Sequence, residues 1–216
     1  MKFYELIPII IFCMLTAALI CMKLCGVGSR KRGIVKMLAS SFFLVGAAYS
    51  LVRLGTAVLL PAIGLICAFL GDLFLVFMDD HRFFVAGTLS FCASSTCFCL
   101  HAFLAHQWQW WFCLVFIVIF VGNALCQVKG VYSYGRDKVV LNAYILLVGL
   151  CGSLGLTVAF SAENVFAVLF GIGCFCYFVS DLCLGLYLLK FRLRWLDSLN
   201  TLLYFPGILL IVMSLL

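Results

Sequence analysis

Apolar residues run along this chain in blocks of about twenty, parted by short polar stretches, and about twenty apolar residues are what a helix needs to cross a bilayer. The blocks predict eight transmembrane helices, at about Phe3–Met22, Gly33–Val52, Thr56–Phe77, Phe83–Leu104, Phe112–Val128, Val139–Phe160, Val165–Leu189 and Trp195–Leu216. No polar stretch exceeds about a dozen residues, too few for a water-soluble domain. The expected fold is therefore an all-α integral membrane protein, with residues 1–216 as one polytopic domain. Lys2 before the first block has the look of a signal peptide. Glu5 within the block, the lack of an A-x-A site after it and the basic cluster that follows instead read as a retained span.

Composition narrows the class. Hydrophobic types make up 67% of the 216 residues and charged types 10%, against about 45–50% and about 25% in soluble domains. That excludes a soluble enzyme, a disordered chain and a collagen-like one. The net charge of +6 would point to nucleic acid in a soluble protein. Here the basic residues sit in short loops, so the charge reads as membrane orientation and no nucleic-acid partner is expected. Lys23, Arg30, Lys31, Arg32, Lys36, Arg82, Lys129, Arg136, Lys138, Lys190, Arg192 and Arg194 all fall on one side of the predicted spans, and only Lys2 and Arg53 on the other. The positive-inside rule then puts both termini outside the cytoplasm, in the cell membrane if the source is bacterial. Trp108, Trp110 and Trp111 fall on the outer side, where an interfacial aromatic belt is expected. The 13 cysteines are scattered through the apolar blocks. Cys97 and Cys99, and Cys174 and Cys176, are spaced C-x-C, but none pairs with His at zinc-finger spacing. They read as small hydrophobes, and neither a metal, a cofactor nor a disulfide framework is expected.

One motif occurs twice. Phe69-Leu70-Gly71-Asp72-Leu73-Phe74-Leu75 in the third block and Phe178-Val179-Ser180-Asp181-Leu182-Cys183-Leu184 in the seventh both read F-apolar-small-D-L-x-L, 109 residues apart. That offset superposes the first four spans on the last four. It predicts two parallel four-helix repeats, residues 1–108 and 109–216.

Asp72 and Asp181 are the only carboxylates well inside the predicted spans. An unpaired ionised carboxylate there costs at least about 2.5–3.5 kcal/mol on insertion scales, so such groups face a bundle interior or a wet cavity. Counting from Asp79 and Lys190 at 1.5 Å per residue puts them ~10 Å and ~13 Å below the cytoplasmic surface. The third and seventh helices are expected to be neighbours, with both carboxylates facing one cavity open to the cytoplasm. Lys36 enters the second span near that level, and Ser40, Ser90, Asn123, Asn142 and Asn200 lie in the cytoplasmic halves of theirs. The plainer reading also stands for each: Ser and Asn often only bridge helices, Lys36 can snorkel to headgroups, and either Asp can sit in a structural ion pair. His81, His101 and His106 read as surface or interfacial residues.

Leu70-Gly71-Asp72, the turn with Arg82, Gly87 and Phe91, Ser180-Asp181, Tyr204-Phe205 and Lys36-Met37-Leu38 together resemble the YhhN-type membrane family. The resemblance covers nearly the whole chain in span order. Characterised members of that family include lysoplasmalogenases, eight-span proteins that hydrolyse the vinyl ether bond of lysoplasmalogens. It implies an intramembrane lipid hydrolase with a lysophospholipid substrate, Asp72 and Asp181 as catalytic residues, and Lys36, Ser95, Asn123, Asn142 and Tyr204 as substrate contacts. The chain departs from the family pattern G-x-x-x-F-x-x-x-H-x-x-Y in the fourth span, with Ser95 at the His position and Phe98 at the Tyr position. Ile208 stands where the family often has His or Gln. Two other classes fit the paired carboxylates: a small proton-coupled transporter, and a non-catalytic, lipid-binding family member.

Overall fold

The computed structural model describes residues 3–131 and 134–215, and among these the chain is helical, with no strand. Eight α-helices follow in order: α1 (Phe3–Leu24), α2 (Ser29–Leu54), α3 (Leu59–Val76), α4 (His81–Ala105), α5 (Phe112–Val128), α6 (Lys138–Ser161), α7 (Val165–Leu186) and α8 (Arg194–Met213). Each coincides with one apolar block. The ends differ by a few residues for a physical reason: hydropathy marks the greasy part of a helix, not its hydrogen-bonded length. Thus α2 starts at Ser29, with Arg30 and Lys31 as an exposed first turn outside the apolar block. At the other extreme, α7 stops at Leu186 and the chain passes through a π turn at Tyr187–Phe191. Side-chain caps set two starts. Asp80 accepts a hydrogen bond from the Arg82 backbone N–H at 2.9 Å to open α4, and Asn164 accepts one from Ala167 at 2.9 Å to open α7.

Among the described residues six helical stretches are long and apolar enough to cross a membrane: Ile7–Leu24, Ser29–Val76, His81–Ala105, Gly135–Ser161, Val165–Phe191 and Arg194–Met213. The second holds both α2 and α3, joined by a short 3-10 turn at Gly55–Val58, and α5 is shorter, at 17 residues. Their composition and length mark a membrane protein.

Packing follows chain order in each half. α2 lies against α1 and α3, and α3 against α4; α6 lies against α5 and α7, and α7 against α8. Two seams join the halves, α8 on α1 and α2, and α4 on α6. The expectation that α3 and α7 are direct neighbours needs correction. They do not pack along each other; side chains of α4 and α8 stand between them, Phe91 against Gly71 and beside the Tyr177 ring, and Tyr204 bonded to Asp72 and beside Tyr177. The seams of α7 are close: a Cβ on Gly173 would stand 2.7 Å from the Gly207 carbonyl oxygen of α8, and one on Gly155 of α6 2.7 Å from the Gly171 carbonyl oxygen. The centre is aromatic. Phe91, Tyr177 and Tyr204 have their ring centroids 6.0–6.5 Å apart, with Phe43, Phe98 and Phe205 packed around them.

Candidate functional site

Asp72 lies in α3 one residue after Gly71, and the glycine decides what stands beside it. A Cβ at Gly71 would meet the Phe91 ring at 2.8 Å, so only glycine lets α4 bring that ring against α3 here. Asp72 is thereby closed off from solvent, its side chain 2% exposed, and three donors meet it. Lys36 Nζ stands 2.8 Å from Oδ1; the Ser40 hydroxyl donates to Oδ2 at 2.5 Å and the Tyr204 hydroxyl at 2.9 Å. Lys36 and Ser40 are one turn apart on α2, so a single helix face supplies both. Both oxygens of this carboxyl group are thus met, one by a cation and the other by two hydroxyl donors.

Asp181, on α7, is 4% exposed and differently placed. No ion pair reaches it among the described residues, and its Oδ2 is buried with no hydrogen-bond partner. The Tyr144 hydroxyl from α6 lies beside it. One turn earlier on the same helix, the buried Tyr177 hydroxyl stands beside Ser94 and Ser95. Buried polar atoms left without partners are uncommon in native proteins and gather where a structure has work to do besides holding together.

Both carboxylates line one cavity of about 140 Å³. Its mouth carries charge that the apolar blocks did not single out. Asp197, three residues into α8, takes Lys23 Nζ at 2.5 Å on Oδ1 and Arg32 Nη1 at 3.3 Å on Oδ2, and its backbone carbonyl accepts a second bond from Lys23 at 3.0 Å. The cavity wall thus holds Lys23, Arg32 and Lys36 against Asp72, Asp181 and Asp197.

The structure brings together four of the seven residues singled out from the sequence. Asp72, Asp181, Lys36 and Tyr204 share this cavity. Ser95 is fully buried beside Tyr177, one turn further along α4 than the cavity-lining Phe91. Asn123 and Asn142 lie elsewhere, in a network between α5 and α6. There Asn142 Oδ1 accepts from Asn123 at 3.2 Å and from Gln127 at 2.9 Å, and Tyr134 donates to Asn123 at 2.7 Å. Sequence reading missed Lys23, Arg32, Asp197 and Tyr144 as site residues. The signal for Asp197 was its place inside the last apolar block, a carboxylate three residues past Arg194.

The histidines fall outside the site. His81 pairs with Asp137 at 2.7 Å and ties the start of α4 to the turn before α6. His101 is buried rather than interfacial, its ring 5.1 Å from those of His106 and Phe170. His106, just past the end of α4, is pushed below the ordinary imidazole range by burial. Among the described residues no cluster of three or more His, Cys, Asp or Glu is placed to hold a metal ion.

Residues 31–215 match the model of the YhhN family, which covers all the elements of the site except Lys23 on α1. No curated protein and no solved structure matches the chain.

Proposed function

Since the chain belongs to the YhhN family, we propose that it is an eight-span intramembrane hydrolase that cleaves the vinyl ether bond of lysoplasmalogens. The observation that carries this reading is the asymmetry of two carboxylates in one cavity: Asp72 meets a cation and two hydroxyl donors, and among the described residues Asp181 has no ion-pair partner. Vinyl ether hydrolysis needs an acid that protonates the enol carbon and an anion that stabilises the oxocarbenium ion so formed. Separated environments for two carboxyl groups supply such a division, as they do in glycoside cleavage. Asp181 is the acid in this reading and gives its proton to the alkenyl carbon. Asp72 faces the cation and orients the water that adds to it. The resulting hemiacetal collapses to a fatty aldehyde and a glycerophospho-alcohol, and the proton released in the addition restores the acid. No metal takes part.

The test is aldehyde release. The purified chain, given lysoplasmenyl lipid in detergent or liposomes, is expected to yield long-chain aldehyde by mass spectrometry in proportion to protein and time. No aldehyde above the protein-free control would remove the hydrolase reading. It would leave the second one, a family member that binds lipid without turning it over. That alternative is favoured by one observation, Ser95 at the place in α4 where the family pattern has His.

The charge distribution supports a sidedness in which the cavity mouth, with Lys23 and Arg32, faces the cytoplasm and both termini face away from it. A reporter fused after the last residue is expected to be active only outside the cytoplasm. Cytoplasmic activity would reverse the orientation and, with it, the leaflet from which substrate enters.

A further inference from the structure

Asp181 also borders a second, smaller cavity, of about 70 Å³, between α4, α6 and α7. Most of its wall is apolar, but Thr88, Tyr134 and Tyr144 join Asp181 in lining it. Among the described residues Asp181 is the only polar one that lines both cavities. A buried water needs at least about 10–15 Å³ of room and two to four polar partners. The second cavity has room for a few waters and is too small for a lipid chain.

Polar partners are in place. Thr88 Oγ1 donates to the Phe84 carbonyl oxygen at 2.9 Å, which leaves the lone pairs of that hydroxyl to accept. The Tyr144 hydroxyl lies beside the Asp181 carboxyl group, whose Oδ2 is buried with no hydrogen-bond partner among the described residues. Tyr134 donates to Asn123 at 2.7 Å and ties the cavity to the network of Asn123, Gln127 and Asn142, which the hydrolase chemistry does not use. A dry cavity would leave the Asp181 oxygen buried and unpaired, which folded proteins avoid.

The cavity lies toward the end of the bundle that carries Arg82, Arg136 and Lys138. Phe84 and Leu141 line it there. About one turn nearer that end stand His81 on α4 and Asp137 just before α6, paired at 2.7 Å. Their side chains are 38% and 19% exposed, so the pair stands between the cavity and solvent.

We propose that this cavity is a water compartment that connects the Asp181 carboxyl group to the cytoplasmic side, behind the His81–Asp137 pair and apart from the first cavity. Its use rests on the hydrolase reading, in which Asp181 gives up one proton and regains one in each turnover. Water held at Thr88, Tyr144 and Asp181 lets the carboxyl group exchange its proton with the cytoplasm while substrate fills the first cavity. The compartment adds no proton to the balance of the reaction.

Radiolytic labelling reads such water directly, because hydroxyl radicals made from a bound water by an X-ray pulse oxidise the side chain beside it. With the full chain in nanodiscs equilibrated in heavy-oxygen water, Tyr144 is expected to gain labelled oxygen. Phe98, fully buried and lining neither cavity, is expected to gain none. Gly185 lines the second cavity near the end of α7, and a Cβ built on it meets nothing within 4 Å. Gly185→Leu therefore fills the cavity and is expected to abolish the label at Tyr144 while sparing Tyr204 in the first cavity. Thr88→Val, which removes a partner of the water, is expected to lower the label and serves if the leucine variant does not fold. His81→Ala is expected to shorten the time that Tyr144 takes to acquire label after mixing with heavy-oxygen water. Tyr144 unlabelled in the parent, or labelled alike in parent and cavity variants, would overturn the compartment. An unchanged arrival time in His81→Ala would overturn its route. In turnover of lysoplasmenyl lipid, Gly185→Leu is expected to lower kcat and leave KM unchanged, because the second cavity meets water and not lipid; a raised KM with unchanged kcat would count against the proposal. Labelling as expected in a chain that releases no aldehyde would sink the hydrolase reading alone. Aldehyde release with Tyr144 unlabelled would sink this proposal alone.

Discussion

Asp181→Asn is expected to lower turnover of a lysoplasmenyl lipid about 10²–10⁴-fold, the usual worth of a general acid, with no loss of thermal stability. Asparagine keeps the shape of the side chain but has no acidic proton to give. The stability expectation follows from the surroundings of this residue. Its carboxyl group has no ion pair among the described residues, and one of its oxygens already lacks a partner. Replacement therefore breaks no charge pairing and takes away a group that is costly to ionise in an apolar core. Asp72→Asn is expected to lower turnover as far, because the cation formed in the reaction loses its counter-charge. Its stability is another matter. On the sequence alone, neutralising either carboxylate should leave stability unchanged, since it removes a desolvation cost. The structure overturns that for Asp72, which would lose an ion pair at 2.8 Å. Turnover measured beside a thermal melt separates the cases. Near-native turnover in either variant removes that residue from the mechanism, and activity lost only in step with Asp181→Asn unfolding would make Asp181 a structural residue.

What could be read in one dimension was depth. Blocks of apolar residues located all eight helices, and counting residues from the nearest charged turn put Asp72 and Asp181 at similar heights, where the structure finds them on one cavity. Azimuth was not legible, because helices in lipid can be apolar on every face and so lose the periodicity that tells inside from outside. For that reason Asn123 and Asn142, at the right height, point into a bridge between α5 and α6 instead of the cavity. The same loss hid the placing of α4 and α8 between α3 and α7. Ser40 was noticed only as a polar residue in α2. Its spacing of four from Lys36 was the available clue that one helix face serves Asp72. Asp197 went unremarked because it stands among basic residues at a helix start, where a carboxylate ordinarily needs no tertiary partner. Its actual partners come from α1 and α2, more than 160 residues earlier, and a span-by-span reading contains nothing that links them.

Lys36→Met tests the pair at the centre of the site through stability. The two ends of the ion pair are buried unequally: the Asp72 side chain is 2% exposed and that of Lys36 23%. Taking away one partner of a buried pair costs about 3–5 kcal/mol, chiefly because the other charge is left without compensation. Lys36→Met leaves Asp72 closed in with only the hydroxyls of Ser40 and Tyr204, so its loss should sit near the lower end of that range. Asp72→Asn leaves a lysine whose ammonium group still reaches the cavity, and its loss should be smaller. In the double variant neither charge remains, and the amide oxygen of the new asparagine can still accept from Ser40 and Tyr204, so stability should return most of the way to the parent. The expected order in denaturation of the purified protein is therefore parent, double variant, Asp72→Asn and Lys36→Met, from most to least stable. The two single losses must then fail to add, with a coupling of about 0.5–3 kcal/mol. Additive losses would mean that the two groups do not interact. An unchanged Lys36→Met would mean that the lysine spends its time at the headgroups, leaving Asp72 to its hydroxyl donors and the water-orienting role without its fixed anion.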